Sequence, residues 1–298
     1  MGGAQFTSRA RTASGRALGL DELRLSKTGV TRYDLSDPYH TALTVPWAWF
    51  LAGVAGLYAL INLVFAAAYY AQPGSIVNAH PGSLLDPFFF SIETFATVGY
   101  GEMYPANAYS HWVAGVEIVV GMNFTAIVTG LIFVRFSKPR ARILYAERPV
   151  ITRHDGKPTL MLRFANGRMY VLTDTTARLS VLMRYDSAEG ASFRRAMDLP
   201  LATSRFALFA LTLTILHVID ETSPLFGLTQ EQIAAGDMRL FLTIEAHDPA
   251  LGATVRDLQS YEAGQIAFGM RYADAISRSE DGRNRADLTR ISLLEPEP

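Results

Sequence analysis

The chain has 298 residues, 49% of them hydrophobic and 18% charged, with a net charge of −1 and no cysteine. Two modules fit that length, and the mixture is too apolar for a plain soluble domain and too polar for a chain buried wholly in lipid. Without cysteine there is neither a disulfide framework nor a thiolate metal site; no cofactor and no nucleic-acid partner is expected.

Residues 1–35 read as a flexible cytoplasmic tail: they are basic (Arg9, Arg11, Arg16, Arg24, Lys27, Arg32) and hold no apolar core of signal-peptide length. From Ser36 to Val45, SDPYHTALTV offers Asp37 as an N-cap with Pro38 behind it, and Leu35, Tyr39 and Leu43 stand at helical spacing. A short amphipathic helix on the inner membrane surface is expected there. Next, residues 46–70 (PWAWFLAGVAGLYALINLVFAAAYY) are apolar at nearly every position. As helix they would measure about 37 Å, against about 30 Å of hydrocarbon. Trp47 and Trp49 at one end, and Tyr69 and Tyr70 at the other, mark the interfaces.

Pro73, Gly74, Pro81 and Gly82 then break the chain before DPFFFSIETFA, residues 86–96, where Asp86 is expected to cap a half-helix with Pro87 at its first position. That helix is too short to cross, so the backbone after it must be enclosed by protein or face a watery cavity. A second span is expected over residues 108–136, its apolar interior carrying one charge, Glu117. No Lys or Arg occurs between Arg32 and Arg135, whereas both flanks are basic. Both termini are therefore placed in the cytoplasm of a multi-pass protein, taken to lie in the cell inner membrane.

After residue 139 the pattern changes to period two. In TDTTARLSVLMRY, Ala177, Leu179, Val181, Met183 and Tyr185 share one face, and Asp174, Arg178, Ser180 and Arg184 the other. MRLFLTIEAHD, residues 238–248, alternates likewise, and Asp155-Gly156 and Asp281-Gly282 are hairpin pairs. The expected architecture is a pore domain over residues 36–138 and an all-β sandwich over residues 139–298.

The half-helix runs into TVGYG, residues 97–101. Gly99 and Gly101 can take positive φ, which turns successive carbonyls to one side instead of alternating them. Four such segments around an axis would stack rings of carbonyl oxygen from Thr97, Val98, Gly99, Tyr100 and Gly101, with the Thr97 hydroxyl beside them, in place of the water shell of a potassium ion. Potassium is then the permeant ion.

SIETFATVGYG (91–101), VGMNFTAIVTGLIFVRFSKPRAR (120–142) and HVIDETSPLFG (217–227) resemble a prokaryotic inward rectifier potassium channel, the KirBac family, and the likeness runs from about residue 36 to 294. That resemblance implies a homotetramer with a slide helix at 36–45, outer helix 46–70, pore helix 86–96, filter 97–101 and inner helix 108–136. It also implies an immunoglobulin-like cytoplasmic sandwich that extends the pathway. Phe133 matches the residue that narrows the pore at its inner end, and Gly121 and Gly130 match positions where inner helices bend or pack closely. Thr125 stands where strongly rectifying relatives hold polyamine or magnesium with an acid; Asn123 is polar at the same depth and faces the cavity or a neighbouring helix. Asp174 matches an acidic position in the cytoplasmic vestibule. Arg135, Lys138, Arg140 and Arg142 match residues that bind anionic lipid, phosphoinositide above all, although topology alone also favours cations there.

Glu93 and Glu117, charges at membrane depth, require partners. Glu93 is expected to be hydrogen-bonded behind the filter with Glu117 as its neighbour, and Glu102 to stand at the outer mouth. A nucleotide-regulated potassium channel would need a Rossmann-type βαβ unit after the second span, against which the alternating strands and the lack of GxGxxG argue; two readings outside the channels also compete. One is a non-conducting membrane sensor whose β domain binds a ligand. The other is an enzyme, for which His217, Asp220 and Ser223 are triad residue types at poor spacing.

Overall fold

The computed structural model describes residues 11–14, 37–187, 189–190, 192–235, 238–278 and 282–297. The sequence readings at residues 1–10 and 15–36, and at Asp281, lie outside those residues. The chain divides into two compact units, residues 29–138 and residues 1–28 with 139–298.

In chain order a short strand, β1 (Arg11–Ser14), comes first, and the elements of the unit spanning residues 29–138 follow. Helix α1 (Pro38–Thr44) starts where Asp37 Oδ1 accepts the His40 N–H at 2.9 Å, and it stops where Val45 turns extended ahead of Pro46. Helix α2 (Trp47–Tyr70) has 24 residues, about 36 Å. Strand β2 (Ile76–Val77) pairs antiparallel with β3 (Tyr104–Pro105), and between them lies the half-helix α3 (Leu85–Phe95). Helix α4 (Ala108–Phe136) opens on a reciprocal cap, Asn107 with Ser110, and has 29 residues, about 44 Å. Both α2 and α4 are long and apolar enough to span a membrane.

Asp86 does not cap α3 as expected. Leu84 occupies the cap position, and Asp86 is the second residue of the helix, within its first turn. Its carboxylate is engaged by the preceding loop, accepting the His80 N–H at 2.7 Å and pairing with the His80 ring at 2.8 Å. The Ser83 hydroxyl instead accepts the Asp86 N–H, at 3.2 Å. A side chain that can cap is diverted when a stronger set of donors lies closer.

The other unit is a β-sandwich. Its strands are β4 (Arg142–Tyr145), β5 (Val150–His154), β6 (Lys157–Asn166), β7 (Leu172–Asp186), β8 (Ser192–Leu199), β9 (Arg205–Phe209) and β10 (Thr212–Val218). A short helix, α5 (Gln230–Ala235), precedes β11 (Arg239–Asp248), β12 (Ala253–Glu262) and β13 (Ala267–Phe268). One sheet runs β1-β4-β6-β5-β13 with β10 along the other edge of β6; the second runs β12-β11-β7-β8 with β9 on β7. In β11 Leu240, Leu242, Ile244 and Ala246 all point inward, and in β7 the predicted face is buried through Ala177, Leu179 and Val181. These meet Ile143, Leu160, Leu162 and Phe164 of the first sheet in one core. Each large side chain so buried contributes about 1.5–3 kcal/mol. The sheets are also joined by a polar tie, Tyr261 Oη donating to the Ala146 carbonyl at 2.9 Å.

Strand β1 falls in the segment expected to be a flexible tail. Residues 11–14 pair antiparallel with residues 142–145. Their sequence, RTAS, has no apolar alternation; the edge of β4 offers unpaired backbone groups to any extended partner, which composition does not reveal.

Candidate functional site

The segment after α3 departs from ordinary backbone at every second residue. Thr97, Gly99 and Gly101 have φ of 56°, 60° and 85°. Alternating right- and left-handed residues direct successive carbonyls to the same side, as a coordinating ladder requires. Glycine supplies two of these conformations freely; Thr97, a β-branched residue, does so at a cost of order 1–3 kcal/mol. The sequence had suggested positive φ for the two glycines only. The ladder is anchored to the end of α3: the Thr97 N–H donates to Thr94 at 3.0 Å and the Val98 N–H to Glu93 at 2.8 Å. Tyr100 is 78% exposed in the protomer, and Val98 is 50% exposed.

Aromatic contacts hold α3 in place. Phe95 is buried between Tyr58 of α2 (5.3 Å between ring centroids) and Phe124 of α4 (5.5 Å). Gly121 makes that approach possible, since a Cβ there would stand 2.2 Å from the Phe95 carbonyl oxygen. At Gly130 nothing among the described residues lies within 4 Å of such a Cβ, and α4 runs unbroken through both glycines.

Glu117 is wholly buried. Its carboxylate accepts the Tyr69 hydroxyl at 2.7 Å and the Ser91 hydroxyl, and Ser91 also lies 3.1 Å from Asn62 Oδ1. Asn62 in turn donates to the Tyr58 carbonyl at 2.7 Å. One carboxylate thus ties α2, α3 and α4 together behind the ladder. Glu93 was expected to be its neighbour, but among the described residues the Glu93 side chain makes no hydrogen bond, and the pore-helix contribution comes from Ser91, two positions earlier. Asn62, Tyr69 and Ser91 were not singled out from the sequence; polar side chains on otherwise apolar helices were the available signal. Glu102 is exposed, and its carbonyl accepts Asn78 Nδ2 at 2.7 Å.

Further along α4, Thr125 is exposed in the protomer, and Asn123, also exposed, donates to its own helix at Val119 (2.8 Å). Phe133 is 70% exposed near the inner end of α4. Arg135 donates to the Ala42 and Val45 carbonyls, and Lys138 to Leu43 at 3.0 Å. In the sandwich unit the Arg140 and Arg142 side chains are exposed. Asp174 is exposed with φ of 48°, at an irregularity where the β7–β11 register shifts.

The His217 group is structural in form. Its Nδ1 donates to the Pro200 carbonyl at 2.7 Å, leaving Nε2 to accept the Ser223 hydroxyl at 2.8 Å. Burial lowers the His217 pKa and keeps the ring neutral. Asp220 turns away to accept the Thr222 N–H and hydroxyl, so no triad forms.

Residues 143–295 match the inward rectifier potassium channel C-terminal domain, and residues 57–138 match an ion channel domain. The inward rectifier potassium channel Kirbac3.1 of Paramagnetospirillum magnetotacticum is 37% identical over 254 residues, 85% of this chain and 86% of that protein. The chain belongs to the inward rectifier potassium channel family. More distant members include ATP-sensitive inward rectifier potassium channel 15 of Homo sapiens, 24% identical over 94% of this chain and 81% of that one. G protein-activated inward rectifier potassium channel 1 of Bos taurus is 28% identical over 84% of this chain and 54% of its own. As an inward rectifier potassium channel chain, this is a two-span membrane protein with a β-rich C-terminal domain, a channel and not an enzyme. Membership in the family implies a tetramer.

Proposed function

We propose that four copies of this chain conduct potassium passively across the cell inner membrane, both termini lying in the cytoplasm, with residues 97–101 as the selectivity filter. The observation that carries this reading is the left-handed backbone at Thr97, Gly99 and Gly101, directly continuous with a half-helix, its Phe90, Ser91 and Phe95 buried, between two spans. Tyr100, unpacked in one protomer, has its support supplied by adjacent copies. Thr125 and Asn123 line the cavity. Because Thr125 is neutral, polyamine or magnesium held there binds weakly. A ring of Phe133 side chains closes the inner end by dewetting, and bending falls to Gly130, since Gly121 is engaged with Phe95. Asp174 concentrates cations in the cytoplasmic vestibule. Anionic lipid, phosphoinositide-like, acts at the cationic stretch of residues 135–142.

The test is rubidium uptake into liposomes holding the purified protein. Gly99→Ala places an L side chain at φ of 60°, a strain of about 1–2 kcal/mol in each copy, and should abolish uptake while leaving a tetramer. Undiminished uptake would remove the filter assignment, and no uptake by the unaltered protein in any lipid would remove conduction itself.

A further inference from the structure

Helix α1 has only seven residues and ends against Pro46, so its last carbonyls have no helical donors to continue onto. Cations at the end of α4 and just past it fill that place. Arg135 donates from Nη1 to the Ala42 carbonyl and from Nη2 to the Val45 carbonyl at 2.7 Å; Lys138, two residues past the helix end, donates from Nζ to the Leu43 carbonyl at 3.0 Å. The guanidinium also lies 4.5 Å from the ring centroids of both Trp47 and Phe50, and Trp47 packs on Phe136 at 5.0 Å. Of the remaining nitrogens, Nε is buried with no partner among the described residues. A headgroup could reach the two Arg135 Nη donors engaged here only after α1 had left them, whereas Lys138, exposed, spends one of its three donors on α1.

We propose that Arg135 and Lys138 are positioning residues that cap the C-terminal end of α1 and fasten this interfacial helix to the inner end of α4, leaving Arg140 and Arg142 to receive anionic headgroups. The negative end of a helix dipole favours cations at this place. Arginine suits it better than lysine, because a planar fork can serve two carbonyls and stack on two rings at once, which a single ammonium cannot. The assignment divides the cationic cluster by function: the first pair sets where α1 sits relative to the pore-lining helix, and the second pair senses lipid. Its consequence for conduction rests on the channel reading above; the geometry of the cap does not.

The absence of native cysteine makes the test direct. A single cysteine at Tyr39, exposed on α1, carries a nitroxide, and its mobility is read in tetramers in phosphatidylcholine vesicles, with and without phosphoinositide. Losing one charge-assisted hydrogen bond shifts the docked-to-free ratio about tenfold or more. Arg135→Lys and Arg135→Gln should therefore both mobilise the label in neutral lipid, although lysine keeps the charge. The pair Arg140→Gln with Arg142→Gln should leave the label unchanged and reduce the effect of phosphoinositide on rubidium flux. Label mobility in Arg135→Lys equal to that of the parent protein would overturn the proposal, as would a change in Arg135→Gln seen only when phosphoinositide is present. Should the Arg135 variants fail to assemble, Lys138→Met, which removes one bond, decides between the same outcomes. If the parent passes no rubidium, the channel reading fails while the label still judges the cap.

Discussion

Replacing Gly121 with alanine tests how α4 and the half-helix α3 are held together. The added Cβ would lie 2.2 Å from the Phe95 carbonyl oxygen, 3.1 Å from its carbon and 3.3 Å from its Cα. Contacts under 3.0 Å do not persist, so the helices must part by about 1 Å, and backbone atoms cannot rotate away as a side chain would. Overpacking of this kind costs about 1–3 kcal/mol, offset by about 1 kcal/mol from the better helix propensity of alanine. The net loss is about 0–2 kcal/mol per copy, multiplied by the number of copies where the tetramer dissociates as one. Phe95 lies directly ahead of Ala96 and Thr97, so the displacement passes into the ladder of carbonyls. Gly121→Ala should lower the temperature at which tetramers dissociate and reduce the preference for rubidium over sodium in liposome uptake. Gly130→Ala is the control for dissociation temperature and ion preference alone, gating aside: with nothing within 4 Å among the described residues of the protomer, it gains propensity without a clash. A Gly121→Ala channel with unchanged dissociation temperature and unchanged ion preference would refute the argument.

Two further outcomes follow from the geometry. Asp257 is buried, with Oδ2 unpartnered among the described residues and Oδ1 accepting the Leu258 N–H at 3.1 Å; burial lifts its pKa to about 6. A raised carboxylate pKa favours the protonated folded state, so stability from this group is full below about pH 4 and is lost as pH rises through about 6, by about 3 kcal/mol. Asp257→Asn should accordingly stabilise the full-length protein to denaturant at pH 8 and hardly at pH 4; a pH-independent difference would exclude this cause. Thr125→Asp should strengthen block of outward current by internal polyamine, and an unchanged voltage dependence would mean that the side chain does not face the cavity.

Periodicity and end signals in the sequence located most elements. The residues of α4, Ala108–Phe136, follow from an apolar run that ends at the basic exit, and β11 follows from strict alternation. These signals are local, carried by the element itself. What escaped detection depends on partners distant in sequence. Ser91 and Tyr69 are unremarkable until the fold brings them to Glu117, 26 and 48 residues away. Arg135 looks like any juxtamembrane cation until α1, over 90 residues earlier, presents its carbonyls. Asp86 misled for the related reason that its best donor, His80, lies in a loop with no periodicity. Thr97 was missed because its φ is imposed by the ladder against its own preference.

The tie at Glu117 bears on how the protein is made. During synthesis α2 enters the bilayer before its partners exist, and α4 arrives last, carrying a carboxylate with no cation beside it. In hydrocarbon such a group is tolerated only once hydroxyls meet it, and the two that do so belong to α2 and α3. A hairpin of the two spans that has not yet folded its re-entrant segment inward is therefore penalised, and the penalty vanishes only on completion of the triplet. The buried acid thus couples the seating of α4 to the inward folding of α3, since neither satisfies its polar groups without the other.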